Sequence, residues 1–446
     1  MNEIMSRISC RREKRRANRI SRREFFKKSI KSAALSAIGL PALMDFAALQ
    51  TTAKSYAVQA RNLPRVRSHF FGVQTHFGQF RPDVEEVLDL IEQAGIHWIR
   101  DEVYWAEVEK KKGVFDFPRQ YDNYLDSARA RGIQVLLILD FGNPLYMSRE
   151  KSGPATDEER AAFALYCKEV IRRCRTRGVR YYEIWNEPNA STFWQPEPKA
   201  DDYLKLLEKA YQACKEADPG CTVIGCATSG TDVDFIGRIF SLGGGQFMDA
   251  VSFHPYGYPM GPEQRLLGDI EKLKNIVREK PIWITEIGYP THQGASGVSE
   301  EQQANYLTRT FLLARSSPTM QRVFWYDFQN DGTDLAEAEF NFGLIRKDKN
   351  PKPAYKACKT LASLVRDLPL KEYGKKDAAY IYRFEKGKDW VIAAWKMGEP
   401  ESTMIPVSGR RLIIIERDGE AKAIQAQEPF LKLTVSEKVR YVVSAD

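Results

Sequence analysis

The chain has 446 residues, 43% hydrophobic and 28% charged, long enough for a barrel of roughly 250–300 residues plus an appendage. Its net charge of +8 is concentrated at the front: residues 1–60 hold 13 of the 67 Lys and Arg but 4 of the 59 acids, leaving 54 cations against 55 anions. A body this close to neutral excludes the sequence-wide cationic excess that nucleic-acid binding draws on.

The first 60 residues read as a leader. A basic segment ends in Ser21-Arg22-Arg23-Glu24-Phe25-Phe26-Lys27, which resembles a twin-arginine translocation signal. A weakly apolar stretch from Ala33 to Leu49 follows, broken by Pro41 and Asp45, and is a poor membrane anchor. Either Ser55-Tyr56-Ala57 or Val58-Gln59-Ala60 offers a cleavage site. The expected partner is the twin-arginine export machinery and the expected location periplasmic or extracellular, with no membrane span in the mature chain.

From residue 66 apolar runs alternate with helical patterns. Phe70 to Gln74 is followed by Val84, Val87, Leu88 and Ile91 at i, i+3, i+4, i+7, closed by Gly95. Ile96 to Arg100 makes a second strand, and a helix from Gln120 to Arg131 ends at Gly132. Val135 to Leu139 is unbroken apolar, as for a strand buried on both faces. Thr156 and Glu159 form a capping box before the stripe Phe163, Tyr166, Cys167, Val170, Ile171, Cys174. Strands at Arg180–Trp185, Thr222–Cys226, Ala250–Phe253, Pro281–Thr285 and Val323–Tyr326 alternate with helices at Asp201–Lys215, Val233–Leu242, Gln264–Glu279, Ser299–Arg315 and Lys352–Leu364. Eight βα units in series predict an α/β TIM (β/α)8 barrel over 66–366. No GxGxxG or phosphate loop accompanies the first strand, which counts against a nucleotide site. Past residue 368, alternating segments at Tyr380–Phe384, Trp390–Trp395, Arg411–Ile415 and Val439–Val443 predict a small all-β domain over 368–446, read as a β-sandwich. Trp390 or Trp395 there is a candidate sugar contact, with packing against the barrel the favoured role.

Of seven cysteines, Cys167 and Cys174 belong to the core stripe, about 10 Å apart and beyond bridging distance. Cys214 and Cys221 flank a short turn and are a candidate pair. No spacing suggests zinc, a catalytic thiol or any cofactor.

Two carboxylates stand at the ends of the fourth and seventh strands, the barrel face that carries active sites. One lies in Trp185-Asn186-Glu187-Pro188-Asn189, the other in Trp283-Ile284-Thr285-Glu286-Ile287-Gly288. Cleaving a glycosidic bond needs one carboxylic acid to protonate the departing oxygen and one carboxylate at the anomeric carbon, which bonds directly at about 5–5.5 Å separation. The pair resembles the clan-A, strand-4/strand-7 retaining glycoside hydrolases. Gly72-Val73-Gln74-Thr75-His76 and the β-rich tail are most similar to family 39, with family 5 as runner-up. The resemblance covers most of residues 70–366 and implies Glu187 as acid/base and Glu286 as nucleophile. It further implies that Arg100, at the end of strand two, bonds the nucleophile, and that Asn186 meets the sugar 2-hydroxyl. In His254-Pro255-Tyr256 it implies that His254 lines the subsite and Tyr256 orients Glu286, and it makes Trp325 the apolar platform under a carbohydrate substrate. Glu183 reads as a structural acid beneath the site. Trp105, Phe141, Phe193 and Trp194 are candidates for flanking subsites. The loops after strands three and four favour an open groove and a polymeric substrate. A catalytically weak polysaccharide-binding barrel and a transglycosylase in exopolysaccharide assembly compete with the hydrolase, although binding alone requires neither glutamate.

Overall fold

The computed structural model describes residues 70–444, apart from 80, 82, 150, 410, 427 and 428. The leader, its twin-arginine motif and Cys10 lie outside the described residues. Eight parallel strands close into a barrel, β1 (Phe71–Gln74), β2 (Trp98–Tyr104), β3 (Gln134–Asp140), β4 (Tyr181–Ile184), β5 (Thr222–Ser229), β6 (Ala250–His254), β7 (Ile282–Ile287) and β8 (Met320–Trp325). Hydrogen bonding runs through sequential neighbours, and β8 closes onto β1 with Val73 opposite Trp325. The intervening helices are α1 (Val84–Gln93), α2 (Arg119–Ala130), α3 (Asp157–Cys174), α4 (Ala200–Ala217), α5 (Val233–Ser241), α6 (Leu266–Val277) and α7 (Glu300–Arg315), with α8 (Pro353–Val365) after β8. The expected capping box forms, Thr156 with Glu159 on α3, and Ser299 with Gln302 makes a second on α7. Among the described residues no helix is long and apolar enough to cross a membrane.

The barrel interior is layered. Trp98, Leu136, Ile224, Ala250, Trp283 and Phe324 fill its lower part as a core separate from the helix layer. The Arg322 guanidinium lies 4.2 Å from the Trp98 ring centroid and 4.5 Å from that of Trp283. Above this sit Arg100, Glu183 and Ser252, all fully buried. The main core between strands and helices holds the outward-facing members, including Val323 and Trp325.

Arg100 does not end its strand. It is the third of seven residues in β2, which starts later and runs further than the sequence pattern suggested. Its partner on one side is Gln74, the last residue of β1, so the shorter neighbour puts Arg100 at the top of the ionic layer.

After α8 the chain forms β9 (Leu370–Lys376), β10 (Ala379–Lys386), β11 (Asp389–Lys396), β12 (Glu401–Pro406), β13 (Arg411–Glu416), β14 (Ala421–Gln425), β15 (Phe430–Val435) and β16 (Arg440–Ser444). Six build one antiparallel sheet in the order β9-β10-β11-β16-β13-β14, and β12 pairs with β15 as a separate ribbon. The sandwich is therefore unequal. One face of the large sheet joins the barrel core through Tyr380, Tyr382, Phe384, Val391, Ala393, Trp395 and Tyr441, while Ile381, Trp390 and Ile392 pack with ribbon residues Ile405, Leu431 and Leu433. Trp390 and Trp395 thus point to opposite faces, and both are buried.

All six cysteines among the described residues are free and buried. Cys214 and Cys221 are not bridged. The Cys221 thiol donates instead to the backbone oxygen of Cys214 at 3.7 Å, so the turn is closed without a covalent link.

Candidate active site

The two glutamates named by sequence come together at the C-terminal mouth of the barrel. One oxygen each of Glu187 and Glu286 lies, with a nitrogen of His254, within a mutual span of 4.8 Å. Both carboxylates are buried but retain slight exposure, at 2% and 3%.

Their surroundings differ in charge. Glu286 Oε1 accepts from Arg100 Nη1 at 2.6 Å and Oε2 accepts from the Tyr256 hydroxyl at 2.8 Å. A fixed cation and a neutral donor on the two oxygens favour the ionised carboxylate. Arg100 also donates from Nε to Glu183 at 2.7 Å, from Nη1 to Gln74 at 2.9 Å and from Nη2 to Asn186 Oδ1 at 2.9 Å. Burial opposes its charge, but Glu183 and Glu286 outweigh burial and raise its pKa. Glu183 is the structural acid expected beneath the site, its second oxygen accepting from Ser252 at 2.6 Å.

His254 is fully buried, so its ring meets protein groups and not the open mouth where a subsite would lie. Its Nδ1 is 2.9 Å from Glu187 Oε1 and its Nε2 is 3.0 Å from Thr285 Oγ1. A neutral imidazole has one donor and one acceptor nitrogen, so a proton on Glu187 goes with an unprotonated Nδ1. Glu187 thus meets an imidazole where Glu286 meets a guanidinium.

The loop out of β4 needs unusual backbone to present Glu187. Trp185 and Glu187 have φ of 67° and 50°, and Cys226 and Ala227 at the neighbouring end of β5 have φ of 80° and 42°. Such conformations cost about 1–3 kcal/mol each and persist where the surroundings fix them. Here the Glu187 amide donates to Ala227 O at 3.0 Å and the Trp185 amide to Leu139 O at 3.1 Å.

Trp325 is not the platform. It is fully buried, faces the helix layer, and stacks on Tyr289 with centroids 5.9 Å apart at 27°. Phe324 points down into the barrel, so the next inward position is Tyr326, whose ring meets those of His76, Tyr256 and Phe342. Tyr326 thus holds the inward position that the resemblance gave to Trp325. Trp105 is enclosed between Tyr146 and Tyr166, and Trp194 packs on Trp185 and Tyr203, so both serve packing. Phe141 and Phe193 stack at the rim with Lys151 Nζ 4.8 Å from the Phe193 centroid.

A second polar cluster escaped the sequence reading. His76 Nε2, at the end of β1, lies 3.4 Å from Asp327 Oδ2 and 3.9 Å from Asp331 Oδ2, and Arg81 pairs with Asp331. Burial opposes the imidazolium, but Asp331 and Asp327 prevail and push its pKa up to about 10. β1 and β8 are neighbours only because the barrel closes, so an acid after β8 facing a histidine after β1 was the available signal. By geometry, His76, Asp327 and Asp331, or Glu187, His254 and Glu286, could each hold a metal ion. In both sets Arg81 or Arg100 already balances carboxylate charge.

Comparison with known proteins follows the same lines. Residues 58–327, more than half of the chain, match the family model Cellulase (glycosyl hydrolase family 5). A curated β-xylosidase of Geobacillus stearothermophilus is 23% identical over 202 residues, 40% of this chain and 40% of that protein's length. A family 39 glycoside hydrolase from Bacteroides cellulosilyticus WH2 superposes with a TM-score of 0.73 at 28% identity, over 85% of this chain and 81% of that one. A GH39 β-xylosidase from Caulobacter crescentus gives a TM-score of 0.64 at 18% identity, over 86% and 97%, a likeness of fold. The chain therefore belongs to glycosyl hydrolase family 5 as that model defines it, within the clan-A glycoside hydrolases, and among the clan's families its whole architecture fits family 39 best.

Proposed function

We propose that this chain is an exported retaining glycosidase that cleaves O-glycosidic bonds of an oligosaccharide or polysaccharide through a covalent glycosyl-enzyme intermediate. The observation that carries the reading is the close pair of carboxylates in unlike settings: Glu286 between Arg100 and Tyr256, Glu187 on His254. Retention needs the carboxyl groups about 5–5.5 Å apart, whereas inversion needs about 6.5–9.5 Å to admit water. One oxygen of each carboxyl group lies within 4.8 Å of the other's, an approach that fits the first.

In the first step Glu286, held ionised, attacks the anomeric carbon while Glu187 gives its proton to the departing oxygen. Asn186 spends its carbonyl oxygen on Arg100, which turns its amide NH2 to the 2-hydroxyl. His76, Asp327 and Asp331 offer hydrogen-bonding groups to the remaining hydroxyls, over the ring of Tyr326. In the second step Glu187, now a carboxylate, takes a proton from a water whose oxygen bonds the anomeric carbon as the bond to Glu286 breaks, and His254 serves both states by exchanging donor and acceptor roles. Two relatives are named β-xylosidases, so β-xylosides head the substrates to try. Export rests on the Arg22-Arg23 leader, and replacing both by lysine should leave the protein inside the cell.

A panel of 2,4-dinitrophenyl glycosides followed by proton NMR should give a first product with the substrate's anomeric configuration. Glu286→Ala should lower turnover by more than 10³-fold, and azide should restore it with inverted product. Longer oligosaccharides at high acceptor concentration would favour the transglycosylase. Binding of polysaccharide without cleavage would favour the binder, and an inverted first product would refute retention.

A further inference from the structure

The C-terminal domain reaches the catalytic loops through a single buried carboxylate. Trp395, on the barrel-facing side of β11, is fully buried, and its indole N–H donates to Glu263 Oε1 at 2.8 Å. Glu263 lies in a short turn, Pro262–Gln264, seven residues after Tyr256 on the loop that leaves β6. The same oxygen is 3.1 Å from Arg309 Nε, on α7. Arg309 is itself fully buried. It donates from Nη1 to the Glu437 backbone oxygen at 3.3 Å and contacts the Met397 sulfur, both in the C-terminal domain. One barrel carboxylate is thus gripped from the added domain and from α7 at once.

Two routes lead from this grip to the reacting groups. Along the chain, the loop from Glu263 returns to Tyr256, which donates to Glu286. Tyr258 and Tyr256 both pack on Phe342, which also touches Tyr326. Through space, the Arg309 guanidinium lies 5.0 Å from the Tyr306 centroid, and Tyr306 meets Tyr289 at 4.7 Å. Tyr289 is three residues past Glu286 and stacks on Trp325, which precedes Tyr326. A buried ion pair with a directional indole donor fixes position more tightly than apolar packing alone, because each partner is costly to leave unsatisfied. Trp395 is also held flat, its ring stacked on Tyr380 at 4.8 Å and 1°.

We infer that the C-terminal domain sets the geometry of the active site through Trp395, with Trp395, Glu263 and Arg309 as positioning residues for Tyr256 and the β7–β8 ends. The domain then acts as a part of the catalytic unit rather than as a sugar-binding appendage. The activity readout rests on the glycosidase reading above; the exchange readout does not.

Trp395→Phe keeps an aromatic ring on Tyr380 but removes the N–H and thins the stack, and Glu263→Gln leaves the stack whole, keeps an acceptor for Trp395 and removes only the charge facing Arg309. In the full chain, hydrogen exchange should speed up in residues 256–265 and 287–291 in either variant, with the β11 segment 389–396 unchanged. On whichever dinitrophenyl glycoside the wild type cleaves fastest, kcat per site titrated with a 2-deoxy-2-fluoro glycoside should fall about tenfold, with KM little altered. The double variant should lose no more than the worse single one, as for two ends of one contact. A merely structural Trp395 would lower Tm and leave kcat, KM and exchange in 256–265 at wild-type values, and that result overturns the inference. If the wild type cleaves no glycoside, the glycosidase reading fails and the exchange experiment still decides this one.

Discussion

Arg100 shows how much one side chain can organise. Its guanidinium spends donors on Glu183, Glu286, Gln74 and Asn186, tying the structural acid, the proposed nucleophile and the proposed 2-hydroxyl contact to one rigid plane. Five donors in a fixed fork make this set available to arginine and not to lysine. The platform shift is a residue-scale matter too. Tyr326→Ala should raise KM and lower kcat/KM by about 10–10²-fold, because it removes an aromatic face beside the reacting sugar. Trp325→Phe should leave kcat/KM within about twofold and lower Tm, since it only thins a buried stack. Steady-state kinetics on the same aryl glycoside separates the two, and the reverse pattern would restore Trp325 as the platform. The meeting of Glu187 and Glu286 was legible because residue type and strand end both pointed at them, whereas Arg100 reaches Glu286 from within β2 and not from the strand end expected of it. Trp325 misled because Phe324, Trp325 and Tyr326 are all aromatic, so no polar position marks which of them faces inward. The pairing of β8 with β7 slips between Val323 and Trp325, and no sequence pattern marks that slip. The place of His254 at the end of β6 was legible, but its burial against Glu187 and Thr285 depends on tertiary packing.

At the scale of elements, strands with unbroken apolar runs were readable and those carrying function were not wholly so. Val135 to Leu139 lies inside β3 as expected, whereas β2 continues through Asp101 and Glu102 to Tyr104. Charged residues fit a strand there because Asp101 accepts from Thr75 Oγ1 and from the backbone amides of Phe77 and Gly78. In the C-terminal domain β9, β12, β14 and β15 were missed, all strands with at least half of their residues exposed. The ends of β7 and β8 are coupled more closely than either pattern suggested. A Cβ on Gly288 would stand 1.7 Å from Tyr326 O and 3.1 Å from the Phe342 ring, so the backbones touch where Glu286 and Tyr326 are presented. Gly288→Ala must push the two strand ends apart. It should cost about 1–3 kcal/mol of stability and about 10²-fold in kcat/KM, well beyond the destabilisation's own effect at temperatures below Tm. Urea unfolding alongside kinetics at 25 °C provides the check; a stable variant with full activity would mean that the contact can relax without cost.

For the whole molecule, the question is whether barrel and C-terminal sheet are two bodies or one. The sequence placed a change of texture near residue 368, and a linker there would allow independent folding. The packing argues otherwise. A single apolar cluster runs from barrel residues such as Phe70, Phe71 and Phe311 to Tyr382, Phe384, Val391 and Trp395 of the sheet. Polar contacts reinforce it: Arg315 Nη2 donates to Leu368 O at 2.7 Å, and Arg417 pairs with Glu301 Oε2 at 2.8 Å and bonds Asn305, both on α7. Arg417 is buried and its partners Glu301 and Asn305 lie on α7, so separating the domains would break that contact as well as expose aromatic surface. Each large apolar side chain brought out of the interface costs roughly 1.5–3 kcal/mol. A handful of such contacts exceeds the net stability of an ordinary domain, about 5–15 kcal/mol. Neither part should therefore survive the melting of the other. Calorimetry of the chain from residue 61 onward should give one transition whose van't Hoff and calorimetric enthalpies agree, and Arg417→Ala should lower its temperature without splitting it. Two resolved transitions would mean that the interface is weaker than its burial suggests, and a chain ending at residue 368 that folded and cleaved glycosides would mean that the barrel stands without the sheet.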